Sequence, residues 1–161
     1  AAGEAVGAIG DFGQLLRADD PQVRSAVAKV VAGLGGDGAT HTGLLVRLLE
    51  DEDWKVRHAA VNALSQLGAS QAAPHSDAVA RRLADEQWYV RHAALQLLEK
   101  LGPVAAPHAS GVAHLLGDKH REVRQAASAA LAQLQHVSAE AGASKQSRAP
   151  AEAVGVVEAV S

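Results

Sequence analysis

The sequence contains no cysteine and no methionine. Without cysteine the chain forms neither a disulfide framework nor a thiolate metal site, so a reducing compartment is the simpler expectation. The missing initiator methionine leads us to expect a processed or trimmed product of a longer chain. No targeting segment is visible, so the expected location is intracellular, cytoplasmic or organellar (a plastid, for example).

Aromatic residues are almost as scarce, with four among 161 residues: Phe12, Trp54, Trp88 and Tyr89. Alanine supplies 36 residues, which predicts a core of Ala, Leu and Val, as in closely packed helices. No uncharged run reaches the roughly 18 apolar residues that read as a membrane span, so we expect no transmembrane segment. The net charge of -3 gives no general attraction to nucleic acid or anionic lipid, and nucleic acid is disfavoured as a partner.

The dipeptide Val-Arg recurs four times at intervals of 33, 34 and 33 residues, with its valines at Val23, Val56, Val90 and Val123. Periods of this length are typical of solenoids, in which each unit is one supersecondary structure. A leucine follows each valine by eleven residues, and in the first three units a glycine comes next: Gly35, Gly68 and Gly102. Glycine tolerates the left-handed conformation beyond a helix C-terminus, so these glycines are predicted helix ends.

Each unit carries two apolar stripes. In the second unit, Val56, Ala60 and Leu64 follow the spacing of one helical face, and Leu45 and Leu49 mark an earlier helix. We call the earlier helix of a unit its A helix and the later one its B helix. Such a pair leaves its apolar face uncovered unless neighbouring pairs stack on it. The sequence therefore predicts an all-α fold, a right-handed α solenoid of about four antiparallel helix pairs.

The ends of the chain differ from the middle. We expect a repeat domain over 4–136, with repeats at about 4–35, 40–68, 74–102 and 107–135. The first A helix, over 4–16, contains three glycines that each cost roughly 1 kcal/mol in a helix interior, so we expect it to fray. Residues 137–161 read as a linker and C-terminal tail. Residues 151–160 are either a short docking segment or part of a disordered tail.

The motif Leu-x-Asp-x4-Val-Arg-x-Ala-Ala-x2-Ala-Leu-x2-Leu-Gly runs from Leu49 to Gly68 and recurs with fewer matches in the third and fourth units. It resembles the HEAT-repeat family, particularly the short HEAT-like repeats also found in phycobilisome lyase-type subunits. The resemblance implies a structural ladder of hydrogen bonds between successive inter-helix turns, made by an Asp and an Arg six residues apart. Matching residues are Asp51 and Arg57, Asp85 and Arg91, and Asp118 and Arg124. The first unit has Ala18 in the Asp place, so we expect Arg24 to be paired differently.

Neither metal nor nucleophilic catalysis finds support in the residue pattern. Histidines recur at the starts of A helices (His41, His75, His108) and early in B helices (His58, His92). Equivalent side chains of stacked repeats lie roughly 10 Å apart, too far for one ion with ligand bonds near 2 Å. The glycine-rich stretch 33–38 lacks the Lys-Ser/Thr of a phosphate loop, and no nucleophile elbow occurs. We therefore expect no catalytic residue, no cofactor, no metal site and no enzyme activity.

The aromatic residues near the start of the B helices are the main candidate for partner binding, because Trp, Tyr and Arg dominate interface energetics. Shielding of the turn between the A and B helices is an equal alternative. The polar B-helix face away from the leucine stripe commonly lines the concave, partner-binding surface of a solenoid. The candidate partner-binding residues are Trp54, Lys55, His58, Asn62, Trp88, Tyr89, His92 and Gln96.

These observations favour a non-enzymatic scaffold or adaptor for protein–protein interaction, or a structural subunit of a larger multi-subunit complex with protein partners. The resemblance alone suggests an alternative, a subunit of a HEAT-like chromophore lyase or another enzyme. An outside alternative is a nucleic-acid-binding HEAT-like protein. That alternative needs a basic groove, whereas the B-helix face mixes the lysines Lys29, Lys55 and Lys100 with the acids Glu99 and Glu122.

Overall fold

The computed structural model describes the backbone of residues 12–146 and the side chains of residues 12–135, and the regular elements in this range are α-helices and short 3₁₀ segments. None of these helices combines the length and hydrophobicity needed to cross a bilayer. The α-helices are α1 (Phe12–Leu15), α2 (Pro21–Gly33), α3 (Thr42–Leu48), α4 (Trp54–Leu67), α5 (Ala69–Ala72), α6 (Ser76–Arg81), α7 (Trp88–Leu101), α8 (Ala109–His114) and α9 (Arg121–Gln146).

Four helix pairs stack along the chain, which confirms the predicted all-α solenoid. The A helices are α1, α3, α6 and α8, and the B helices are α2, α4, α7 and α9. Each B helix packs on the B helix of the following unit, and α3, α6 and α8 pack on the B helix of their own unit. The two predicted stripes form the core: Leu45, Leu49, Val56, Ala60 and Leu64 are fully buried.

Local sequence signals define both ends of the B helices. Asp20 and Asp53 cap the starts of α2 and α4. Each carboxylate accepts a hydrogen bond from the backbone N–H two residues later, that of Gln22 at 2.8 Å and that of Lys55 at 2.7 Å. The predicted glycine stops are confirmed, because Gly35, Gly68 and Gly102 have φ of 56°, 99° and 55°, a region that disfavours side chains.

Short 3₁₀ segments lead into the A helices over Gly35–His41, Ala73–His75 and Gly102–His108. Pro74 and Pro107 lie inside these segments and not at the first residues of α6 and α8. Pro74 lies in the first turn of its segment, where its missing N–H costs no hydrogen bond. The regular A helices therefore begin two residues after each proline and are only six residues long in the third and fourth units.

Gly38 marks the closest approach of a 3₁₀ segment to the B helices. A Cβ atom at this position would collide with the backbone carbonyl oxygen of Val31 in α2 and lie 2.9 Å from Cδ2 of Leu67 in α4. Only glycine therefore allows the segment to pack this tightly against both helices.

The last B helix is longer than the sequence predicts. The sequence places a linker from residue 137, whereas α9 continues to Gln146. Residues 137–146 are dominated by Ala, Glu, Lys, Gln and Ser, most of them good helix formers, and the single Gly142 costs only about 1 kcal/mol. Residues 151–160 and the greater part of the first A helix, 4–11, lie outside the described residues.

Candidate functional site

Each ladder arginine joins two consecutive turns. Nη1 of Arg57 donates to the backbone carbonyl oxygens of Asp51 and Glu52, at 2.8 and 2.9 Å, in its own turn. Nε and Nη2 donate to the two carboxylate oxygens of Asp85, at 2.7 and 2.9 Å, in the next turn. The carboxylate partner therefore belongs to the following unit, and the aspartate six residues earlier supplies only its carbonyl.

The same fork occurs in the neighbouring units. Nε of Arg91 donates to Asp118 at 2.7 Å, and Nε of Arg24 donates to Asp51 at 2.7 Å. The expectation that Arg24 is paired differently is wrong. Its carboxylate comes from the second unit, and Ala18 contributes a backbone carbonyl oxygen, at 2.7 Å from Nη1, that any residue supplies.

Arg124, in contrast, is the open end of the ladder. Its Nη1 donates to the carbonyl oxygens of Asp118 and Lys119 at 2.8 and 3.1 Å, as in the other units. Within the described part of the chain no carboxylate meets its Nε and Nη2, because no fifth turn follows there. The side chain is correspondingly half-buried, whereas Arg57 and Arg91 are buried.

Two of the ladder carboxylates, those of Asp85 and Asp118, have lowered pKa values. Burial alone would raise the pKa of the Asp85 carboxyl, but hydrogen bonds from Arg57 and the Gln87 N–H, with the charges of Arg57 and Arg82, lower it below its ordinary value. The pKa of Asp118 is lowered against burial in the same way, by Arg91 and by His120. Both groups are therefore held in the ionised form that their arginines require.

The aromatic residues form one continuous stack across three units. The ring of Tyr89 lies 5.4 Å from that of Trp54 and 3.8 Å from that of Trp88, with interplanar angles of 13° and 27°. Trp88 stacks in turn on His120, at 5.1 Å and 16°. Among the ring contacts of the described residues, the two tryptophans do not touch each other, so Tyr89 separates them. Tyr89 is thus stacked between Trp54 and Trp88, and Trp88 is stacked between Tyr89 and His120.

His120 is a member of the stack that sequence reasoning missed. It stands three residues before Val123, whereas the tryptophans stand two residues before their valines. The repeat register therefore does not point to it. His92 contacts the Trp88 ring edge-on, with centroids 6.4 Å apart.

A groove of about 550 Å³ lies on the B-helix face between α2 and α4. It contains five of the eight candidate partner-binding residues: Trp54, Lys55, His58, Asn62 and Tyr89. The first unit adds Gln22, Ser25 and Lys29, which sequence reasoning missed. In the first unit these three residues occupy the repeat positions that Lys55, His58 and Asn62 occupy in the second. Comparing equivalent repeat positions would therefore have found them. Trp88, His92 and Gln96 do not line this groove, and Gln96 instead borders a separate hollow with Glu99, Lys100 and Gln133.

The groove is cationic. Lys29 and Lys55 are exposed, and no carboxylate is among the lining side chains. The Nζ atom of Lys55 lies 6.0 Å from the centroid of the Trp54 ring, at the limit of a cation–π contact. Burial, and then the proximity of His92, lowers the pKa of His58 below its ordinary value, so this imidazole is neutral at pH 7. Its ring nitrogen Nε2 lies 3.2 Å from Nδ2 of Asn62.

The histidines that precede the A helices share one place in the repeat. His41, His75 and His108 each end a 3₁₀ segment, immediately before an A helix. Among the described residues, no group of three or more His, Asp or Glu side chains is arranged to hold a metal ion.

A family model described as HEAT repeats matches residues 4–75. Among solved structures, an engineered protein is 20% identical with a TM-score of 0.63, over 83% of this chain and 67% of that one. A designed armadillo repeat protein in complex with the peptide (KR)4 is 20% identical with a TM-score of 0.63, over 90% and 77%. Another engineered protein is 21% identical with a TM-score of 0.61, over 82% and 40%. These structures share the fold, and a search of curated protein sequences finds no significant match.

Proposed function

We propose that this chain, whose residues 4–75 match a HEAT-repeat family model and whose fold is an α solenoid, is a non-enzymatic scaffold that binds another protein through its B-helix face. HEAT-like and armadillo-like folds typically mediate protein–protein interaction, and repeat solenoids are typical of non-enzymatic scaffolds. The finer proposal is that the groove between α2 and α4, with the aromatic stack at its edge, is the contact surface.

The observation that carries this proposal is the convergence of aromatic, polar and small side chains on one open groove. Trp54 and Tyr89 supply rigid aromatic surface at one end, where immobilising them costs little entropy. Ala32, Ala59 and Ala63 supply small side chains between the polar ones, which allows a bound chain to approach the helices closely.

The chemistry of the groove favours binding over catalysis. His58 is its one imidazole, and the lining set contains neither a carboxylate to orient that ring nor a nucleophilic thiol. The designed armadillo repeat protein of similar fold is in complex with a peptide. That complex supports a peptide-sized segment as the bound part of the partner.

A specific observation also favours the second form of the proposal, a subunit built into a larger complex. Leu49 and Leu83 are 0% and 7% exposed, whereas Leu116, at the same place in the fourth unit, is 47% exposed. It lies at the same end of the stack as the open fork of Arg124. In this form of the proposal, a neighbouring subunit covers the end of the stack in fixed stoichiometry.

Quantitative affinity capture from the native source tests the two contact surfaces separately. The baits are the wild-type chain, Tyr89→Ala in the groove and Leu116→Ala at the end of the stack, each checked for helix content by circular dichroism. We expect at least one protein captured by the wild type to be lost with Tyr89→Ala and retained with Leu116→Ala. Loss with Leu116→Ala alone would instead place the interface at the end of the stack.

A further inference from the structure

We infer that the groove between α2 and α4 binds an acidic segment of the partner protein in extended form. This inference rests on the proposed function, since it names the chemistry of the bound segment. It is argued from the charge of the groove, from its hydrogen-bonding groups and from the internal pairing of the aromatic rings.

The charge of the groove is complementary to that of an acidic segment. Lys29 of α2 and Lys55 of α4 contribute two exposed ammonium groups to the same groove, with no lining carboxylate to neutralise them. An ammonium on a flexible stem offers three donors that adapt to carboxylates at different positions. A bound segment with Asp or Glu side chains meets complementary charge, whereas a Lys- or Arg-rich segment meets repulsion.

The acidic residues of the adjoining turns do not line the groove. The Asp53 carboxylate accepts the backbone N–H of Lys55 as the cap of α4. Glu52 and Glu86 lie 3.5 and 3.6 Å from the ladder arginines Arg24 and Arg57. Among the ion pairs of the described residues, none involves Lys29 or Lys55.

The uncharged polar side chains of the groove are suited to the backbone of an extended segment. An extended chain presents unpaired N–H and C=O groups along its length. The groove presents four uncharged polar side chains from both of its helices: Gln22, Ser25, Asn62 and Gln66. Amides and hydroxyls both donate and accept, so they satisfy a peptide backbone in either direction.

The stacking of the aromatic rings favours a peptide over a nucleic acid, the other anionic polymer that basic and aromatic side chains attract. Proteins hold single strands by stacking bases on free aromatic faces. Here Tyr89 is stacked between Trp54 and Trp88, and Trp88 stacks on His120. Both sides of Tyr89 are occupied by tryptophan rings, whereas Trp54 stacks on Tyr89 alone within the residues that the structure describes. The groove therefore offers bases a single aromatic face at most and no continuous stacking platform, which favours a carboxylate ligand over a nucleic acid.

Fluorescence anisotropy with labelled probes tests the inference. The probes are an alternating Asp-Glu octapeptide, an alternating Lys-Arg octapeptide and a single-stranded oligonucleotide, at about 0.15 M salt to screen general charge effects. We expect the acidic peptide to bind more tightly than the other two. The double substitution Lys29→Glu/Lys55→Glu is expected to weaken its binding by at least about tenfold.

The matched control is Lys119→Glu/Arg121→Glu, which changes the net charge equally at two exposed positions of the fourth unit. It is expected to leave acidic-peptide binding within about twofold of wild type. Equal weakening by both double variants, no binding of the acidic peptide, or tighter binding of the oligonucleotide or the basic peptide would each overturn the inference. The proposed function is judged separately, by the partner lost with Tyr89→Ala, and survives any of these results.

Discussion

Arg91 and Arg124 occupy the same place in consecutive units and make the same two bonds to backbone carbonyl oxygens of their own turns. Among the described residues they differ in one partner, because Arg91 meets a carboxylate, that of Asp118, and Arg124 meets none there. The pair therefore isolates the contribution of the ion pair between units from that of the bonds within a unit.

We predict that Arg91→Ala lowers the free energy of unfolding by about 3–5 kcal/mol, because it leaves the Asp118 carboxylate, whose side chain is 6% exposed, without its cation. Arg124→Ala removes only the backbone bonds and is predicted to cost about 1–2 kcal/mol. Urea unfolding followed by circular dichroism measures both values. Equal losses would show that the ion pair between units contributes nothing beyond the shared bonds.

The stability of the fold is predicted to depend on the ionised form of Asp85. Because the folded-state pKa of Asp85 is lowered, its contribution to stability is complete above the unfolded-state pKa of about 3.9 and is lost as pH falls through the lower folded-state value. Unfolding free energies measured from about pH 6 downward should fall steeply below about pH 4. Asp85→Asn, although less stable throughout, should show a shallower slope there, and an unchanged slope would contradict the assignment.

At the scale of elements, the 3₁₀ segment Gly35–His41 packs closely only because Gly38 has no side chain. Gly38 lies against α2 and α4, whereas an added Cβ at Gly36, in the same segment, meets nothing within 4 Å. The two glycines therefore make a matched pair.

Gly38→Ala is predicted to lower stability by about 1–3 kcal/mol, because its methyl group forces the segment away from the carbonyl of Val31. Gly36→Ala is predicted to be neutral or to raise stability by up to about 1 kcal/mol, because it restricts the unfolded chain without a clash. Thermal unfolding of the two variants decides the matter. A Gly38→Ala protein as stable as Gly36→Ala would contradict the packing described for this segment.

The elements also show what the sequence determines by itself. The helix stripes and the glycine stops are local and repeated four or three times, so their periodicity was enough to predict them. The partner of Arg24 was missed because the ion pair joins different units, which a motif within one unit does not reveal. The length of α9 was underestimated because scattered Ser and Gly obscured an alanine-rich, helix-forming composition.

The same distinction applies to the candidate site. The columns of the second unit pointed to Trp54, Lys55 and His58, because recurrence places them on one face. That Trp88 is enclosed between rings, while Tyr89 borders the groove, follows from side-chain stacking in three dimensions and has no counterpart in the spacing.

At the scale of the whole molecule, the ladder and the groove have different tasks. The ladder joins each turn to the next and so sets the positions of the B helices. The groove between α2 and α4 is the place on the B-helix face where aromatic, cationic and amide side chains meet. Binding of a protein partner there is the central claim of this account.

Site-specific photo-crosslinking tests that claim most directly. A photoreactive amino acid replaces Gln66, an exposed residue lining the groove, or Ser110, an exposed residue on the A-helix side. We expect a crosslinked partner from Gln66, at a yield reduced by Tyr89→Ala, and little or none from Ser110. Adducts from Ser110 with none from Gln66 would place the partner on the opposite face and contradict it.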